Sequence, residues 1–262
     1  ANITFAKTIN GTTNNGTTNN GTTNNQQAVS INAGTAGVVQ VTGAVGDRQP
    51  LSTLTLVNSY GATFSQAVKA DTAVVLSDTA AGQTIQFADN LSTPTLTTTG
   101  SGYNLELLGT TTSVSSATEF LNTGYLKLGN VASVVVVNGV NTDVVDTLTF
   151  AGGLVATAPS SISMGGTLNT TNTAMSLGDS NTPITLVDAV TLNSGSADMT
   201  LGGTVNGAVA LQLNSTRKTT LGGVVGGSAA LSSITTNTDG TLLIQGGRVV
   251  TTGIQSYGKD VL

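Results

Sequence analysis

Short runs in which every second residue is apolar recur along the whole chain, separated by Gly, Asn, Asp and Ser, the residues that favour turns. An apolar residue at every second position places one row of side chains on one face of a β-strand. No segment has the spacing of an amphipathic helix over three turns. The pattern predicts an all-β protein, with strands in runs such as Val39-Gln-Val-Thr42, Leu54-Thr-Leu-Val57, Thr84-Ile-Gln-Phe87, Leu126-Lys-Leu128 and Leu211-Gln-Leu213.

The chain also repeats itself. Residues 199–207, Met-Thr-Leu-Gly-Gly-Thr-Val-Asn-Gly, recur twenty positions later as residues 219–227, Thr-Thr-Leu-Gly-Gly-Val-Val-Gly-Gly. Gly43-Ala-Val-Gly46 resembles Gly223-Val-Val-Gly226, and the interval between the two is nine periods of twenty. A short fixed period is typical of a solenoid, in which each coil buries its apolar face by stacking on the next.

We therefore predict a parallel β-helix (β-solenoid) with roughly 20-residue coils, and the recurrence disfavours an antiparallel sandwich. Roughly 13 such coils would form a rod on the order of 60 Å long, given the usual spacing between strands. The glycine pairs that recur near the ends of runs are expected at corners that need a positive φ. These pairs are Gly202-Gly203, Gly222-Gly223 and Gly246-Gly247.

Two sets of apolar residues are expected in the core. The first should point inward and form ladders between successive coils, and it comprises Leu201, Val205, Leu211, Leu221, Val225 and Leu231. The second is a stripe of phenylalanines that we assign to the core rather than to a ligand platform, namely Phe5, Phe87 and Phe150.

We expect residues 1–262 to form a single β-solenoid with two departures from regularity. Residues 11–25 are three exact copies of Gly-Thr-Thr-Asn-Asn without an apolar side chain, which is typical of a loop outside the core. This loop is expected to be dispensable for folding, with a contact to a lattice or a receptor as the functional alternative. Residues 100–146 are expected to form less regular coils, and Val134-Val-Val-Val137 is apolar on both faces.

Composition excludes several classes of function. Only 8% of the residues are charged, the net charge is −5 and the pI is about 4.3, which argues against nucleic acid as a partner. The chain has no Cys and no His, so it has no disulfides, no thiolate metal site and no Ser-His-Asp or Cys-His nucleophile. No apolar run is longer than four residues, the length of residues 134–137, and this is too short to span a membrane. No cofactor is expected.

Few residues are candidates for site chemistry. Asn141, Asp143 and Asp146, with Asn138 just before them, form an oxygen-rich cluster that could bind calcium, although they lack the ligand spacing of a known calcium loop. Three pairs of opposite charges are close in sequence and are interpreted as solvated corner charges. They are Asp47 with Arg48, Asp71 with Lys69, and Asp260 with Lys259. A polysaccharide-degrading β-helix enzyme, which would need such groups clustered in a groove, is the enzymatic alternative.

The repeats resemble those of a known family. The stretches that carry the resemblance are residues 221–236 and 246–257, with Gly43-Ala-Val-Gly46 and Thr4-Phe-Ala-Lys-Thr-Ile-Asn10 in the same style. They are similar to the tandem repeats of filamentous-haemagglutinin-like adhesins and of giant autotransporters of Gram-negative bacteria. The resemblance covers most of the chain, more loosely over residues 100–146. It implies a right-handed parallel β-helix, secretion to the cell surface, and a role in adhesion or in forming surface fibres.

The expected function is therefore that of a non-enzymatic extracellular rod. Its partners would be molecules on a host or a neighbouring cell, or copies of itself in a homo-oligomer or filament. A surface-layer or matrix-fibre subunit that assembles with itself is the alternative. The chain has no visible signal peptide and ends on what resembles another repeat, so we expect a mature fragment or a piece of a longer protein. An ice-binding solenoid is disfavoured, because the Thr-x-Thr runs at residues 53, 95 and 147 are not spaced by whole coils.

Overall fold

The structure, a computed structural model, describes residues 1–11, 27–137 and 140–262, and for residues 133–137 and 140–143 it describes the backbone alone. The secondary structure of these residues consists of strands, turns and bends, without a helix. It follows that none of them belongs to a helix able to cross a bilayer. The chain is an all-β protein, as the alternating pattern predicted.

The strands are short and follow one another closely. In chain order they are β1 Ile3–Phe5, β2 Ala28–Asn32, β3 Val39–Val41, β4 Leu51–Asn58, β5 Ala62–Phe64, β6 Val68–Leu76, β7 Thr84–Phe87, β8 Leu91–Thr93, β9 Thr95–Thr97, β10 Asn104–Leu107, β11 Thr111–Val114, β12 Thr118–Glu119, β13 Leu126–Leu128, β14 Ser133–Val137, β15 Val140–Val144, β16 Thr147–Phe150, β17 Leu154–Ala156, β18 Ile162–Asn169, β19 Met175–Leu177, β20 Ile184–Gly195, β21 Met199–Leu201, β22 Val205–Asn206, β23 Ala210–Ser215, β24 Lys218–Leu221, β25 Ser233–Thr236, β26 Thr241–Ile244, β27 Gln255–Ser256 and β28 Asp260–Val261.

Parallel pairing stacks these strands into a solenoid whose coils have three faces. The first face contains Val39, Ala62, Ile85, Leu105 and Leu126 in register. The second face contains Val68, Leu91, Thr112, Leu148 and Leu168 in register. The third face contains Leu154, Met175, Met199, Thr219 and Leu242 in register.

The solenoid has about ten turns, fewer than the roughly 13 coils expected. One reason is that coil length varies, since the coil from Ile85 to Leu105 matches the repeat period whereas the coil from Val225 to Val249 is longer. The other is that two steps are much longer, because Ile3 pairs with Val39 and Leu126 pairs with Ile162. Each of these two long steps contains an insertion, and the strands at the two ends of the step pair directly with each other. Ten steps of the usual strand spacing give a rod of roughly 50 Å.

The second insertion is a hairpin. Strands β14 and β15 pair antiparallel, whereas the other strand pairs of the described residues are parallel. The Asn138-Gly139 dipeptide between them is the sequence most typical of a tight hairpin turn. The irregularity expected over residues 100–146 is therefore confined to this hairpin, because β10, β11 and β13 continue the coils in register.

The first insertion contains the Gly-Thr-Thr-Asn-Asn tract. Beyond Gly11 the tract lies outside the described residues, but the residues on either side of it are described. The N–H of Gly11 donates to the Gln49 carbonyl at 2.9 Å, and the Gln27 carbonyl accepts from Ser52 N–H at 2.9 Å. A Cβ placed on Gly11 would lie 3.5 Å from Gln27 Oε1, so the two ends of the insertion are adjacent.

Deleting residues 12–25 is therefore expected to leave the solenoid intact. Gln26 would join two points that already lie side by side, and the length of a loop changes its closure free energy only slowly, by about 0.6 kcal/mol per doubling. We expect the melting temperature, followed by circular dichroism, to stay within a few degrees of the parent's. Loss of the first coils in the deletion variant, seen as a separate low-temperature transition, would show that the tract belongs to the core.

The predicted inward set is confirmed. The six residues Leu201, Val205, Leu211, Leu221, Val225 and Leu231 are at most 1% exposed. Two of the predicted ladders are also correct, since Leu201 pairs with Leu221 and Val205 with Val225. Leu211 does not stack on Leu231, however, because its register partners are Val190 and Ile234. The coil from Leu211 to Ile234 is longer than the repeat period, so a fixed period of twenty assigns the wrong partner.

Gly43-Ala-Val-Gly46 and Gly223-Val-Val-Gly226 do not occupy equivalent positions in the coil, although nine periods of twenty separate them in the sequence. Val45 pairs with Ile9 and Val68 on the second face, whereas Val225 pairs with Val205 and Val249 on the first face. The φ values of Gly46 and Gly226 are 72° and 71°, so the two segments turn alike. The same local motif therefore serves two different corners of the coil.

The glycine pairs are needed for a reason other than the one expected. Of the six glycines in these pairs only Gly247 has a positive φ. A Cβ on Gly203 would lie 1.7 Å from the Thr182 carbonyl oxygen, one on Gly223 would lie 2.4 Å from the carbonyl of Gly203, and one on Gly246 would lie 2.0 Å from that of Gly223. These glycines let the backbone of one coil approach that of the previous coil at a corner.

The phenylalanines belong to the core, as predicted, but not to one stripe. On the first face, Phe87 stacks on Phe64 with ring centroids 4.8 Å apart. On the second face, Phe150 packs edge to face against Phe120 at 5.7 Å. Phe5 is half-buried and lies in register with Val41, which in turn lies in register with Phe64. None of the three is free to form a ligand platform.

Lys259 is buried rather than solvated at a corner. It is 5% exposed, and its Nζ donates to the carbonyl oxygens of Ser215 and Arg217 and to Thr219 Oγ1 at 3.1 Å. Burial lowers the pKa of the Lys259 ammonium below its ordinary 10.5, while the charge of Asp239 opposes this change. The other charged residues of the predicted corner pairs, Asp47, Arg48, Lys69, Asp71 and Asp260, are exposed.

A Lys259→Met variant is expected to remove a pH dependence of stability. Because the native pKa of Lys259 is lowered, the folded chain loses this proton before the unfolded chain does, and stability rises as the pH increases through the native pKa towards 10.5. Burial raises the pKa of Tyr103 and Tyr125 above 10.0, so these two residues lower the stability as the pH rises above 10.0. This loss is the same in the parent and in the Lys259→Met variant. In denaturant titrations the parent should gain stability relative to the variant as pH rises. A difference independent of pH would show that this ammonium is solvated.

Candidate functional site

A row of polar side chains lies on the outside of the first face. Gln86, Glu106, Lys127, Ser163 and Thr185 follow one another in register, one residue per coil. They point outward because the residues beside them in each strand are buried in the core. Successive members of the row are separated by the strand spacing of about 4.8 Å. Residues far apart in sequence thus form one continuous polar surface.

Glu106 is held in place by two hydrogen bonds. Its Oε2 accepts from Gln86 Nε2 at 2.7 Å, and its Oε1 is 2.7 Å from Tyr125 Oη. Burial raises the pKa of the Tyr125 phenol, and the Glu106 carboxylate raises it further, although Thr84 opposes this. Tyr125 is therefore protonated at neutral pH and donates to Glu106. The pair is fixed, which leaves Lys127 as the next charged group along the row.

The base of the hairpin forms a wall beside this row. Asp146 Oδ2 accepts from Asn130 N–H at 2.7 Å, and Asp188 Oδ2 accepts from Ala132 N–H at 2.6 Å. Burial raises the pKa of Asp146, the Asn130 N–H lowers it, and the nearby Asp188 carboxylate raises it. These two carboxylates fix residues 130–132, so that Val131 projects at the edge of the groove with 59% of its surface exposed.

Row and wall together enclose a groove of about 370 Å³. This volume is within the range of roughly 300–1,000 Å³ that is usual for small-molecule sites. Seven of the ten residues that line the groove are polar or charged, but more of its surface is apolar than polar. The lining residues are Glu106, Tyr125, Lys127, Asn130, Val131, Ser161, Ile162, Ser163, Thr185 and Val187.

Several of the polar groups in the groove are unused. Within the described part of the chain, the Lys127 ammonium and the hydroxyls of Ser161, Ser163 and Thr185 make no hydrogen bond or ion pair to another residue. Polar groups on a rigid surface that converge on a groove without protein partners are typical of a binding site. The groove can therefore offer donors and acceptors to a ligand without breaking bonds within the protein.

The sequence did not point to this site. Glu106 comes from one coil and Tyr125 and Lys127 from the next, and only stacking brings Glu106 next to the other two. The signal that could have found them is the coil length itself, because Gln86, Glu106 and Lys127 follow one another at intervals of about one coil. The wall is set by the hairpin, which the sequence analysis did not identify.

The calcium candidates are only partly described. Asn141 and Asp143 lie in β15, and their side chains fall outside the described residues, as does Asn138. Asp146 is described and braces the base of the hairpin with Asp188. Within the described ranges, no three His, Cys, Asp or Glu side chains are grouped so that they could hold a metal ion.

Two other surfaces are less suited to a specific ligand. A second groove of about 330 Å³ lies on the third face, and its only ionisable lining residue is Glu119. On the second face, four threonines follow one another in register beside a ladder of asparagine amides joined at 2.7 Å. The threonines are Thr111, Thr147, Thr167 and Thr191, and the asparagines are Asn169, Asn193 and Asn214. The Thr-x-Thr runs starting at residues 53 and 95 lie on the third face, in register and two whole coils apart, contrary to the expected spacing. The run starting at residue 147 lies on the second face, so the three runs form no common array.

No protein-family model matches the chain, and neither the curated proteins nor the solved structures contain a significant match to it.

Proposed function

We propose that this chain is a non-enzymatic, extracellular rod segment of a large secreted bacterial surface protein, and that it mediates attachment to molecules on host or neighbouring cells. The observation that carries the proposal is the groove beside the hairpin, where Lys127, Ser163 and Thr185 offer unused hydrogen-bonding groups. A stacked solenoid suits this role because it holds such a site rigidly and at a fixed place along a rod. The likeness of its repeats to adhesin repeats supports the same role.

The chemistry of the groove favours binding over catalysis. Glycoside hydrolases mostly need two carboxyl groups on either side of the bond that is broken. Glu106 is the one carboxylate among the residues that line this groove. Asp146 and Asp188 are engaged with backbone N–H groups behind the wall. A tyrosine whose pKa is raised stays protonated at neutral pH, so Tyr125 is poorly suited to remove a proton from a sugar.

The proposal is tested by measuring attachment and turnover together. The purified chain, labelled with a fluorophore, is applied to layers of epithelial cells and to intact bacteria, with an unrelated β-solenoid of similar charge as the control. We expect saturable attachment above that control, and no release of reducing ends or unsaturated uronides from a panel of polysaccharides. Attachment no greater than the control's would overturn the adhesive role, and reproducible release of sugars would replace it with an enzymatic one.

A second candidate function, assembly with copies of the same chain, is favoured by the outermost coils. Several apolar residues of these coils are only partly buried. They include Ile3, Phe5, Ile9 and Val29 in the first coils and Ile244, Val249 and Tyr257 in the last. Strand edges of this kind can pair with another chain. Electron microscopy separates the two functions, since fibres or sheets support assembly and single rods of roughly 50 Å support an adhesive segment.

A further inference from the structure

The groove beside the hairpin presents hydrogen-bond donors and acceptors together with a larger area of apolar surface. Lys127 Nζ can donate three hydrogen bonds, and the hydroxyls of Ser161, Ser163 and Thr185 can both donate and accept. Each Glu106 oxygen accepts one hydrogen bond within the protein and keeps a lone pair for another. A ligand that matches this surface must itself carry many groups that donate and accept. Polyhydroxylated molecules meet this requirement.

Part of the apolar surface of the groove lies at its edge, beside the hairpin. Val131 is exposed there and Val187 is half-buried beside it. Val131 is held at this edge because both of its neighbours, Asn130 and Ala132, donate their backbone N–H groups to fixed carboxylates. A sugar ring has hydroxyls around its rim and C–H groups on its faces, so one face can pack against the valines while the hydroxyls reach the polar row.

The charges around the groove favour a neutral ligand. Lys127 is the one cation among the residues that line it, and Glu106 is one coil away. Asp146 and Asp188 lie behind the wall, and the whole chain has a net charge of −5. An acidic polymer would meet repulsion from this field, whereas the hydroxyls of a neutral sugar can accept from Lys127 and donate to Glu106.

The row also has a direction. Lys127, Ser163 and Thr185 follow one another along the axis of the solenoid, about 4.8 Å apart. This step is comparable with the length of one sugar unit, so a chain of sugars along the axis would meet one polar side chain per unit. We propose that the groove binds a neutral oligosaccharide chain, lying along the axis between the row from Glu106 to Thr185 and the wall at Val131. This inference rests on the proposed adhesive function and names the class of its partner.

The test is a binding measurement with the full chain. Neutral oligosaccharides of glucose, galactose, mannose and N-acetylglucosamine are compared with monosaccharides and with oligosaccharides of uronic acids, by calorimetry and on an array. We expect at least one neutral oligosaccharide to bind, more tightly than its monosaccharide and more tightly than the acidic chains. Thr185→Val keeps the shape of an exposed side chain and removes its hydroxyl, and Lys127→Met removes the ammonium. Each should weaken binding about tenfold, the equivalent of one lost hydrogen bond of about 1.4 kcal/mol.

The matched control is Lys69→Met, which removes an exposed lysine from β6 on the second face and should leave the affinity unchanged. Unchanged circular dichroism in all three variants separates lost contacts from misfolding. Neutral sugars that bind equally well to parent, Thr185→Val and Lys127→Met would place the sugar site elsewhere, and preferred binding of uronates would reverse the charge argument. If the chain attaches to cells but binds no neutral sugar, this inference fails while the adhesive role stands. If it does neither, the adhesive role fails as well.

Discussion

Replacing Leu211 by Asp is expected to lower the free energy of unfolding by several kcal/mol. Leu211 is 1% exposed and lies between Val190 and Ile234 of the adjacent coils. Loss of a buried leucine costs about 2–5 kcal/mol by itself. A carboxylate in the same place has no cation to pair with among these apolar neighbours, so its desolvation adds a further cost. Thermal and urea denaturation should both show the change.

The control for this substitution is the next residue. Gln212 is in the same strand, β23, but its side chain is exposed on the outside of the coil. Gln212→Asp introduces the same charge at the same height of the solenoid, and such surface changes usually stay within about 0.5 kcal/mol. Equal destabilisation by the two substitutions would show that the charge itself, or the strand propensity of Asp, matters more than the direction of the side chain.

This contrast reflects what alternation in a sequence can predict. A residue at every second position of a strand faces the core whatever the strand pairs with, so the inward set could be assigned from the local pattern alone. The stacking partners could not, because they depend on the length of every corner between two rungs. Leu211 pairs with Ile234 because the coil between them is longer than the period by which residues 199–207 recur at 219–227.

The groove could not be predicted from the sequence either, because it also depends on which residues stack on one another. Its polar row depends on exact register, and its wall depends on where the hairpin enters the coil after β13. The charged pairs that are close in sequence lie outside the groove, whereas Glu106 and Lys127, which line it, meet only through stacking. In a solenoid, neighbours on the surface are about one coil apart in the chain, so proximity in sequence is a poor guide to a site.

The sequence alone could not show why glycine recurs at the corners of the coils. A recurring Gly-Gly is compatible with a positive φ, with close approach of two backbones, or with both. At residues 203, 223 and 246 the second cause applies, since none of the three has a positive φ and each abuts the backbone of another coil. Glycine thus recurs at this corner because the stacked coils leave no room for a Cβ atom. A larger residue at any of these positions should destabilise the solenoid.

Gly203→Ala is expected to destabilise the solenoid by about 3 kcal/mol or more, which is the upper part of the range for overpacking. The added Cβ would lie 1.7 Å from the Thr182 carbonyl oxygen and 2.9 Å from that of Asp179. Neither atom can rotate away, because both belong to the backbone of the preceding coil. The coils would have to separate at this corner, which also strains the pairing of β20 with β22 next to it.

Gly100→Ala provides the comparison, because a Cβ at Gly100 meets no atom within 4 Å and its φ is not positive. There the added methyl group should change stability by less than about 1 kcal/mol, and a small increase is expected from the lower entropy of the unfolded chain. Denaturant titration of both variants measures the difference directly. If Gly203→Ala proved as mild as Gly100→Ala, the coils would be able to shift past one another at this corner, and the close backbone contact would not be what selects glycine.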